Sequence, residues 1–254
     1  MIGFGDGMRR PVVIIFARAP RLGAVKRRLA AGIGARGALR FYRAMLSATA
    51  WPIARDRRWH TLLAITPRGA RADWARLAPP GTPRMAQVSG DLGQRMEKAL
   101  ARYPRAILIG SDIPGLRPAD IAAGFRALGR ANAVFGPALD GGYWLVGFGP
   151  RRPHRPFAHV RWSSRHALAD TLANFRRHRV VLLPPKRDVD SAEDLAALLD
   201  NHAEPRENTV LTAHYSERRK ASNRHFPPVA YSSSQIETTS TRSADNQALL
   251  GPCR

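Results

Sequence analysis

Short, continuous apolar runs are the feature that most constrains this chain. They alternate with stretches of helical pattern, and most contain no interleaved polar residues. The runs cover residues 11–17, 61–65, 85–88, 106–110, 133–138, 143–148 and 179–183. Continuous apolar strands are typical of a parallel sheet that is covered on both faces. The helical stretches lie at 35–55, 91–102, 118–128, 164–177 and 191–200. This alternation predicts a three-layer α/β fold.

Two local signals refine the predicted helices. Pro52 lies inside the first helical stretch and is expected to kink or end it. Asp190 and Glu193 have the spacing of a capping box before the last helix. Helix capping is therefore a structural alternative to any functional role for Asp190.

The composition changes near residue 202 of the 254-residue chain. We predict one domain over 1–202 and a disordered polar tail over 203–254, because the tail lacks hydrophobic periodicity. No apolar stretch reaches the roughly 18–20 residues of a membrane helix, and the N-terminus lacks the apolar region of a signal peptide. The single cysteine, Cys253, permits no internal disulfide. We expect a cytoplasmic protein with no membrane partner.

The formal net charge of +22 comes almost entirely from arginine, because only four of the 41 basic residues are lysines. The arginines are spread along the whole chain, which indicates a generally basic surface rather than a nucleic-acid face. Nucleic acid is therefore not an expected partner. A basic surface still favours anionic small molecules in a cleft.

The stretch FARAPRLGAVKRRL, residues 16–29, follows the first predicted strand. The strand ends at Ala17, a loop contains Gly23, and Lys26 and Arg28 follow. Glycine-containing loops at this place in α/β sheets often hold phosphates, although this one is neither G-x-G-x-x-G nor a P-loop. Lys26 is the only lysine in the first 97 residues, which favours a compact ammonium acting on phosphate. The alternative is a solvated basic loop.

A second glycine-containing stretch, GDLGQRMEKAL, covers residues 90–100. Gly90 and Gly93 could let the backbone approach a flat ligand such as a base. Asp91 could instead be an ordinary helix N-cap.

Two carboxylates follow predicted strands. Asp112 stands beside Ser111 at the end of AILIG, and Asp140 precedes Gly141 and Gly142. Asp-Gly is also a strong hairpin signal, so Asp140 has a structural alternative. Carboxyl ends of parallel strands face the crevice where α/β proteins bind ligands. Oxygen ligands suit Mg²⁺ or Mn²⁺. We expect Asp112 and Asp140 to hold a divalent metal, with Asp190 a weaker candidate.

Five motifs in order resemble one protein family. They are F-A-R-A-P-x-x-G-x-V-K-x-R-L, G-D-L-G-x-R-M, G-S-D-I-P-G-L, G-P-A-x-D-G-G-Y-W-L-x-G and D-V-D-S-x-E-D-L. Together they resemble the bacterial glycosyltransferase-like proteins related to CofC, the 2-phospholactate guanylyltransferase, over about residues 11–200. The resemblance implies a Rossmann-like GT-A fold, as in nucleotide-diphospho-sugar transferases, with a mostly parallel sheet. Arg27 stands where the family usually has threonine.

The motifs and the resemblance lead to one expected function. It is metal-dependent transfer from an activated nucleotide to a small-molecule acceptor, with glycosyl transfer from a nucleotide sugar as the leading form. Nucleotidyl transfer and a non-catalytic nucleotide-binding module are the alternatives. The expected catalytic residues are Lys26, Arg28 and Asp112. The expected nucleotide contacts are Ala17, Gly23, Lys26, Arg28, Gly90, Asp91, Gly93, Ser111, Gly141 and Gly142. Sugar, base, acceptor and oligomeric state are left open.

Overall fold

A seven-stranded sheet forms the centre of the computed structural model, which describes residues 10–70 and 72–200. The strands are β1 (Val12–Arg18), β2 (His60–Thr66), β3 (Arg84–Ala86), β4 (Ala106–Ile109), β5 (Ala133–Pro137), β6 (Tyr143–Phe148) and β7 (Val180–Leu182). Their order across the sheet is β3-β2-β1-β4-β6-β5-β7. Each predicted apolar run forms one of these strands.

One strand runs against the others. β6 is antiparallel to both of its neighbours, β4 and β5. The remaining neighbouring pairs are parallel. The prediction of a mostly parallel α/β sheet is therefore confirmed.

Helices cover both faces of the sheet. They are α1 (Arg27–Arg55), α2 (Leu92–Leu100), α3 (Pro118–Leu128), α4 (Ala167–Ala173) and α5 (Ala192–Asp200), with a short 3₁₀ turn at Trp74–Arg76. Val13 and Ile15 of β1 face a core that includes α1 and α3. Val12 and Ile14 face a second core that includes α2 and Phe175. Burial on both faces explains why the strands are continuously apolar.

The first helix, α1, consists of two helical segments joined at a kink. The kink is at Gly34, whose angles are non-helical, at φ 76° and ψ 155°. The segment after the kink covers the predicted stretch 35–55, and the sequence prediction missed only the shorter segment that begins at Arg27. The prediction that Pro52 would kink or end the helix is wrong, because the helix continues to Arg55. Pro52 lies in the last turn, where one missing N–H donor removes little of the hydrogen-bond ladder.

Two other sequence expectations concern the ends and the environment of the chain. The domain boundary at 202 and the polar tail over 203–254 lie outside the described residues. Within the described part, no helix is both long and apolar enough to cross a membrane.

Candidate active site

The carboxyl edge of the sheet collects most of the charged residues singled out by the sequence. The loop after β1 carries Lys26, and the loop after β4 carries Asp112. The β5–β6 turn carries Asp140, and the segment after β7 carries Asp188 and Asp190. The parallel strands that lead to these positions end at the same edge, so their loops share one crevice.

Lys26 lies between two carboxylates. Its Nζ is 2.7 Å from Oδ2 of Asp112 and 2.6 Å from Oδ1 of Asp190. The lysine side chain is only 6% exposed, whereas the aspartates are 32% and 44% exposed. Burial alone would lower the pKa of Lys26, but the charges of Asp112 and Asp190 and their hydrogen bonds raise it above its ordinary value. Lys26 is therefore charged and already paired.

Asp190 is available to Lys26 because other residues cap α5. Asp194 Oδ2 accepts hydrogen bonds from the backbone N–H groups of Asp190 and Ser191 and from the Ser191 hydroxyl. The backbone N–H of Asp194 donates back to Ser191 Oγ at 3.2 Å. The expected capping box of Asp190 and Glu193 is therefore wrong: Ser191 and Asp194 form it, one position further along.

Tyr42 braces the strand ends beside Asp112. Its hydroxyl accepts from the backbone N–H of Arg18 at 2.8 Å and donates to the Arg18 carbonyl at 2.9 Å. The same hydroxyl lies 3.3 Å from Oγ of Ser111, which is buried next to Asp112. Burial raises the pKa of Tyr42, although the hydrogen bond with Ser111 opposes this. Helix α1 thereby fixes β1 and the residue before Asp112 relative to each other.

Asp140 occupies a tight turn. Its Oδ1 accepts a hydrogen bond from the backbone N–H of Gly142 at 2.8 Å. Gly141 has φ +87°, and a Cβ there would lie 2.2 Å from the carbonyl oxygen of Arg165. Asp140 is therefore the turn residue that the Asp-Gly pair predicts, and it is exposed at the crevice.

Asp188 joins the same group of charges. The segment that carries it is held beside the β5 end, because Lys186 N–H donates to the Pro137 carbonyl at 3.0 Å. Burial, together with the charges of Asp140, Asp190 and Asp112, raises the pKa of Asp188 to about 6. The four aspartates are therefore close enough for their charges to affect one another.

The acidic cavity is the name used here for a space of about 530 Å³ that contains these carboxylates. Asp112, Asp140, Asp188 and Asp190 contribute to its wall. Its apolar side is formed by Phe16, Leu92, Met96, Tyr143 and Trp162. This combination can bind a ligand that pairs an apolar or planar surface with polar groups.

The basic cavity adjoins it, with a volume of about 650 Å³. Its charged lining includes Arg18, Lys26, Arg27 and Arg28, and Tyr42 and Ser111 complete the wall. The residues shared by the two cavities are Phe16, Arg28, Gly110, Asp112, Ser163 and Asp190. The crevice thus has an acidic compartment and a basic one on either side of the Lys26 ion pairs.

The structure brings only some of the predicted nucleotide contacts into this crevice. Lys26, Arg28, Ser111 and Gly142 line one cavity or both. Neither cavity is lined by Ala17, Gly23, Gly90, Asp91, Gly93 or Gly141.

The glycine-containing turn before α2 has structural tasks. The Asp91 side chain accepts a hydrogen bond from the backbone N–H of Gln94, and the Gln94 side chain accepts one from the backbone N–H of Asp91. The two bonds form a complete capping box. A Cβ on Gly93 would lie 2.7 Å from the Trp162 ring. The N-cap alternative for Asp91 is confirmed, and Leu92 is the residue of this turn that lines the acidic cavity.

The sequence prediction missed Trp162, which lines the acidic cavity, and it includes Asp188 only with Asp190, as a minor alternative for the metal or acceptor site. A signal for Asp188 existed in D-V-D, because Val189 is fully buried and neighbours in an extended segment point to opposite sides. Trp162 gave no comparable signal. It belongs to an irregular loop, in which the next residue, Ser163, has φ 56°.

The crevice offers oxygen donors for a divalent cation, but they are not arranged around one. The carboxylates offer the oxygen ligands that Mg²⁺ and Mn²⁺ prefer. Among the residues described, no three His, Cys, Asp or Glu side chains are already arranged around a common metal position. The ammonium of Lys26 instead satisfies two of the candidate oxygens. The residues fit a hard cation, provided that Lys26 gives up these contacts.

Known structures place this fold in a class. A Desulfovibrio desulfuricans protein with a provisional description as a nucleotide-diphospho-sugar transferase is 28% identical, with a TM-score of 0.73. The match covers 82% of this chain and 95% of that chain. The protein therefore has an α/β fold that matches nucleotide-diphospho-sugar transferase structures.

The sequence itself is similar to a bacterial family. Residues 49–164 match the family described as "Uncharacterized protein conserved in bacteria (DUF2064)". No curated protein matches the chain. The expected relation to CofC-related proteins stays a prediction.

Two mycobacterial structures are weaker matches to this chain. Mycobacterium tuberculosis Rv0371c is 19% identical over 75% of this chain and 98% of that chain, with a TM-score of 0.47. Glucosyl-3-phosphoglycerate synthase from the same organism is 11% identical over 78% and 81%, with a TM-score of 0.44.

Proposed function

We propose that this protein is a metal-dependent transferase that moves a glycosyl group from a nucleotide sugar to a small-molecule acceptor. The observation that carries the proposal is the meeting of Lys26, Asp112, Asp140, Asp188 and Asp190 at the carboxyl edge of the sheet. The similarity to the Desulfovibrio protein, with its description as a nucleotide-diphospho-sugar transferase, supports the same class of donor.

The residues divide the work of binding and of stabilising charge. Arg28 borders both cavities and is exposed, so it is placed to attract and orient the donor diphosphate. Lys26 adds a second positive charge beside it. When bound at Asp112 and Asp140, Mg²⁺ or Mn²⁺ would offset the negative charge that develops on the leaving diphosphate.

The apolar side of the acidic cavity supports a second part of the proposal. Trp162 and Tyr143 form an edge-to-face pair with ring centroids 6.5 Å apart, beside the carboxylates. Such a surface can pack against a sugar or another part of the acceptor while the carboxylates accept its hydroxyl hydrogen bonds. We therefore place the acceptor in the acidic cavity and the diphosphate toward the basic one.

Nucleotidyl transfer is the second candidate, and one observation favours it. Arg18, Arg27 and Arg28 line the basic cavity together, and a triphosphate needs more countercharge than a sugar diphosphate. In this reaction an acceptor phosphate attacks the α-phosphate and pyrophosphate leaves. The fold alone does not choose between the two reactions.

Product analysis tests the proposal directly. The protein is incubated with Mg²⁺ or Mn²⁺, a panel of acceptors, and either nucleotide sugars or nucleoside triphosphates. Release of nucleoside diphosphate from nucleotide sugars is expected. Pyrophosphate release from triphosphates would instead establish the second candidate.

A binding screen covers the non-catalytic alternative. Nucleotides and nucleotide sugars are compared by thermal shift with and without Mg²⁺, since a ligand that binds the native state raises its melting temperature. A nucleotide-binding module would show stabilisation that Asp112→Asn leaves unchanged, and neither product would form. That result would contradict the proposed transferase.

A further inference from the structure

Lys26 is the charged residue whose surroundings the proposed function explains least. Its side chain is 6% exposed, and its ammonium is bound by two carboxylates of the candidate metal site. Its backbone is in the left-handed region, at φ 47° and ψ 53°, immediately before α1. Such angles are uncommon for a residue with a side chain, so the surrounding structure holds Lys26 in place.

This arrangement opposes the binding of either ion alone. A metal cation bound at Asp112 would lie close to the Lys26 ammonium, which is 2.7 Å from Oδ2 of Asp112. Like charges repel strongly in a partly buried site. A free nucleotide in the basic cavity would meet the carboxylates of Asp112 and Asp190, which also line it. A metal–diphosphate chelate relieves both problems, because it brings a cation for the carboxylates and an anion for the lysine.

We propose that Lys26 is a displaceable internal counter-ion, which leaves Asp112 and Asp190 for the diphosphate when metal and nucleotide bind together. The cleft then takes a metal–diphosphate chelate in preference to either ion alone. This inference rests on the proposed function, because it assumes that the same carboxylates receive the metal.

The basic cavity gives the Lys26 ammonium a place to move to. Lys26 lines the basic cavity together with Arg18, Arg27 and Arg28, next to the Asp112 and Asp190 that it now contacts. It also directly precedes the N-terminus of α1, where the helix dipole favours an anion. Its flexible four-carbon stem allows the ammonium to change partners without a backbone change.

Metal affinity provides the first test. Mg²⁺ is titrated into the wild-type protein and Lys26→Met by calorimetry, in the absence of any phosphate compound. The substitution removes the competing cation, so Mg²⁺ is expected to bind at least about tenfold more tightly. Lys98→Met is the matched control, because Lys98 is exposed and lies on α2. An unchanged or weaker affinity in Lys26→Met would overturn the inference.

Lysine-selective ¹³C labelling provides a second test that needs no functional variant. The chain has only four lysines, and the missing signal in Lys26→Met assigns Lys26. Its ε-carbon signal should move when Mg²⁺ and inorganic pyrophosphate are added together, and by less than half as much with either alone. An unmoved signal in a protein that binds both ligands would also overturn the inference.

The two proposals fail in different ways. If no protein, including Lys26→Met with pyrophosphate, binds Mg²⁺, then the proposed metal-dependent function is wrong and the inference falls with it. If Mg²⁺ binds and turnover occurs, but Lys26→Met binds it no more tightly, only the counter-ion role is excluded. Should Lys26→Met fold poorly, Lys26→Gln repeats the titration.

Discussion

The acidic and basic cavities share a wall but are built differently. The carboxylates of the acidic cavity are fixed by local structure: a hairpin turn at Asp140, a strand end at Asp112 and a capped helix start after Asp190. The basic cavity takes its arginines from the last residue of β1 and the first residues of α1, and Arg27 and Arg28 are exposed. The comparison indicates that the acidic side sets geometry, whereas the basic side supplies an adaptable field that attracts anions.

Removing the Asp112 charge should have the largest effect. We expect Asp112→Asn to lower kcat/KM by about 10²–10³-fold, the usual cost of losing one preorganised electrostatic contact in a transition state. Steady-state kinetics at saturating Mg²⁺ measure it. Asp73→Asn serves as the control, because Asp73 pairs with Arg76 away from the crevice. Equal turnover in the two variants would show that Asp112 does not contribute to the reaction.

Neutralising Asp188 should stabilise the metal-free protein. Its pKa of about 6, above the ordinary 3.8, means that the folded state favours the protonated form. That contribution to stability is complete below about pH 4 and is lost as the pH rises through 6. Asp188→Asn should therefore raise Tm by about 3 °C at pH 8, with solvent screening limiting the gain.

The pH dependence distinguishes electrostatic strain from a packing effect. In calorimetric scans without metal, the difference in Tm between Asp188→Asn and the wild type should disappear near pH 4, where both side chains are neutral. A difference that is independent of pH would contradict the repulsion among the aspartates.

Arg27 tests whether the basic cavity discriminates among phosphates by charge. Arg27→Thr should weaken inorganic tripolyphosphate binding by about tenfold at low salt and pyrophosphate binding by less, and added salt should reduce both effects. Competition calorimetry gives the two affinities. Arg36→Thr, on an exposed part of α1, should change neither. Equal losses of affinity for the two anions would show that Arg27 does not distinguish tripolyphosphate from pyrophosphate.

Ser191 tests the link between helix capping and the acidic cavity, with the smallest expected effect. Ser191→Ala removes an N-cap and should cost about 1 kcal/mol of unfolding free energy. Ser191→Thr retains the hydroxyl and should stay close to the wild type. Denaturant unfolding measures both variants. A larger loss of activity than of stability in Ser191→Ala would show that the cap also positions Asp190.

The sheet could be predicted from the sequence because strands that are buried on both faces have a local apolar pattern. The central strands are mostly apolar runs, and Asp112 follows one of them after Gly110 and Ser111. The environment of Lys26 could not be predicted in this way. Its partners are 86 and 164 residues away in the chain, and no local pattern states which strand ends become neighbours.

Capping chemistry shows the same limit at short range. Asp190 and Glu193 have the spacing of a capping box, but Ser191 and Asp194 have it too. In the structure, Ser191 and Asp194 form the cap. Val189, just before α5, and Leu195 of α5 lie in one buried cluster with Leu29 and Ala38 of α1. Spacing alone therefore does not identify the capping residues.

The reversed strand β6 has a consequence for how this crevice can vary. Asp140 lies on a hairpin whose register shifts between Gly136 and Pro137. Its turn packs closely against the Arg165 backbone at Gly141, so an insertion there would disturb this packing. The loops after β1 and β4 lead into helices and can lengthen without changing strand pairing. The Asp140 wall should therefore tolerate little change in length, and new acceptor preferences should arise through the other loops.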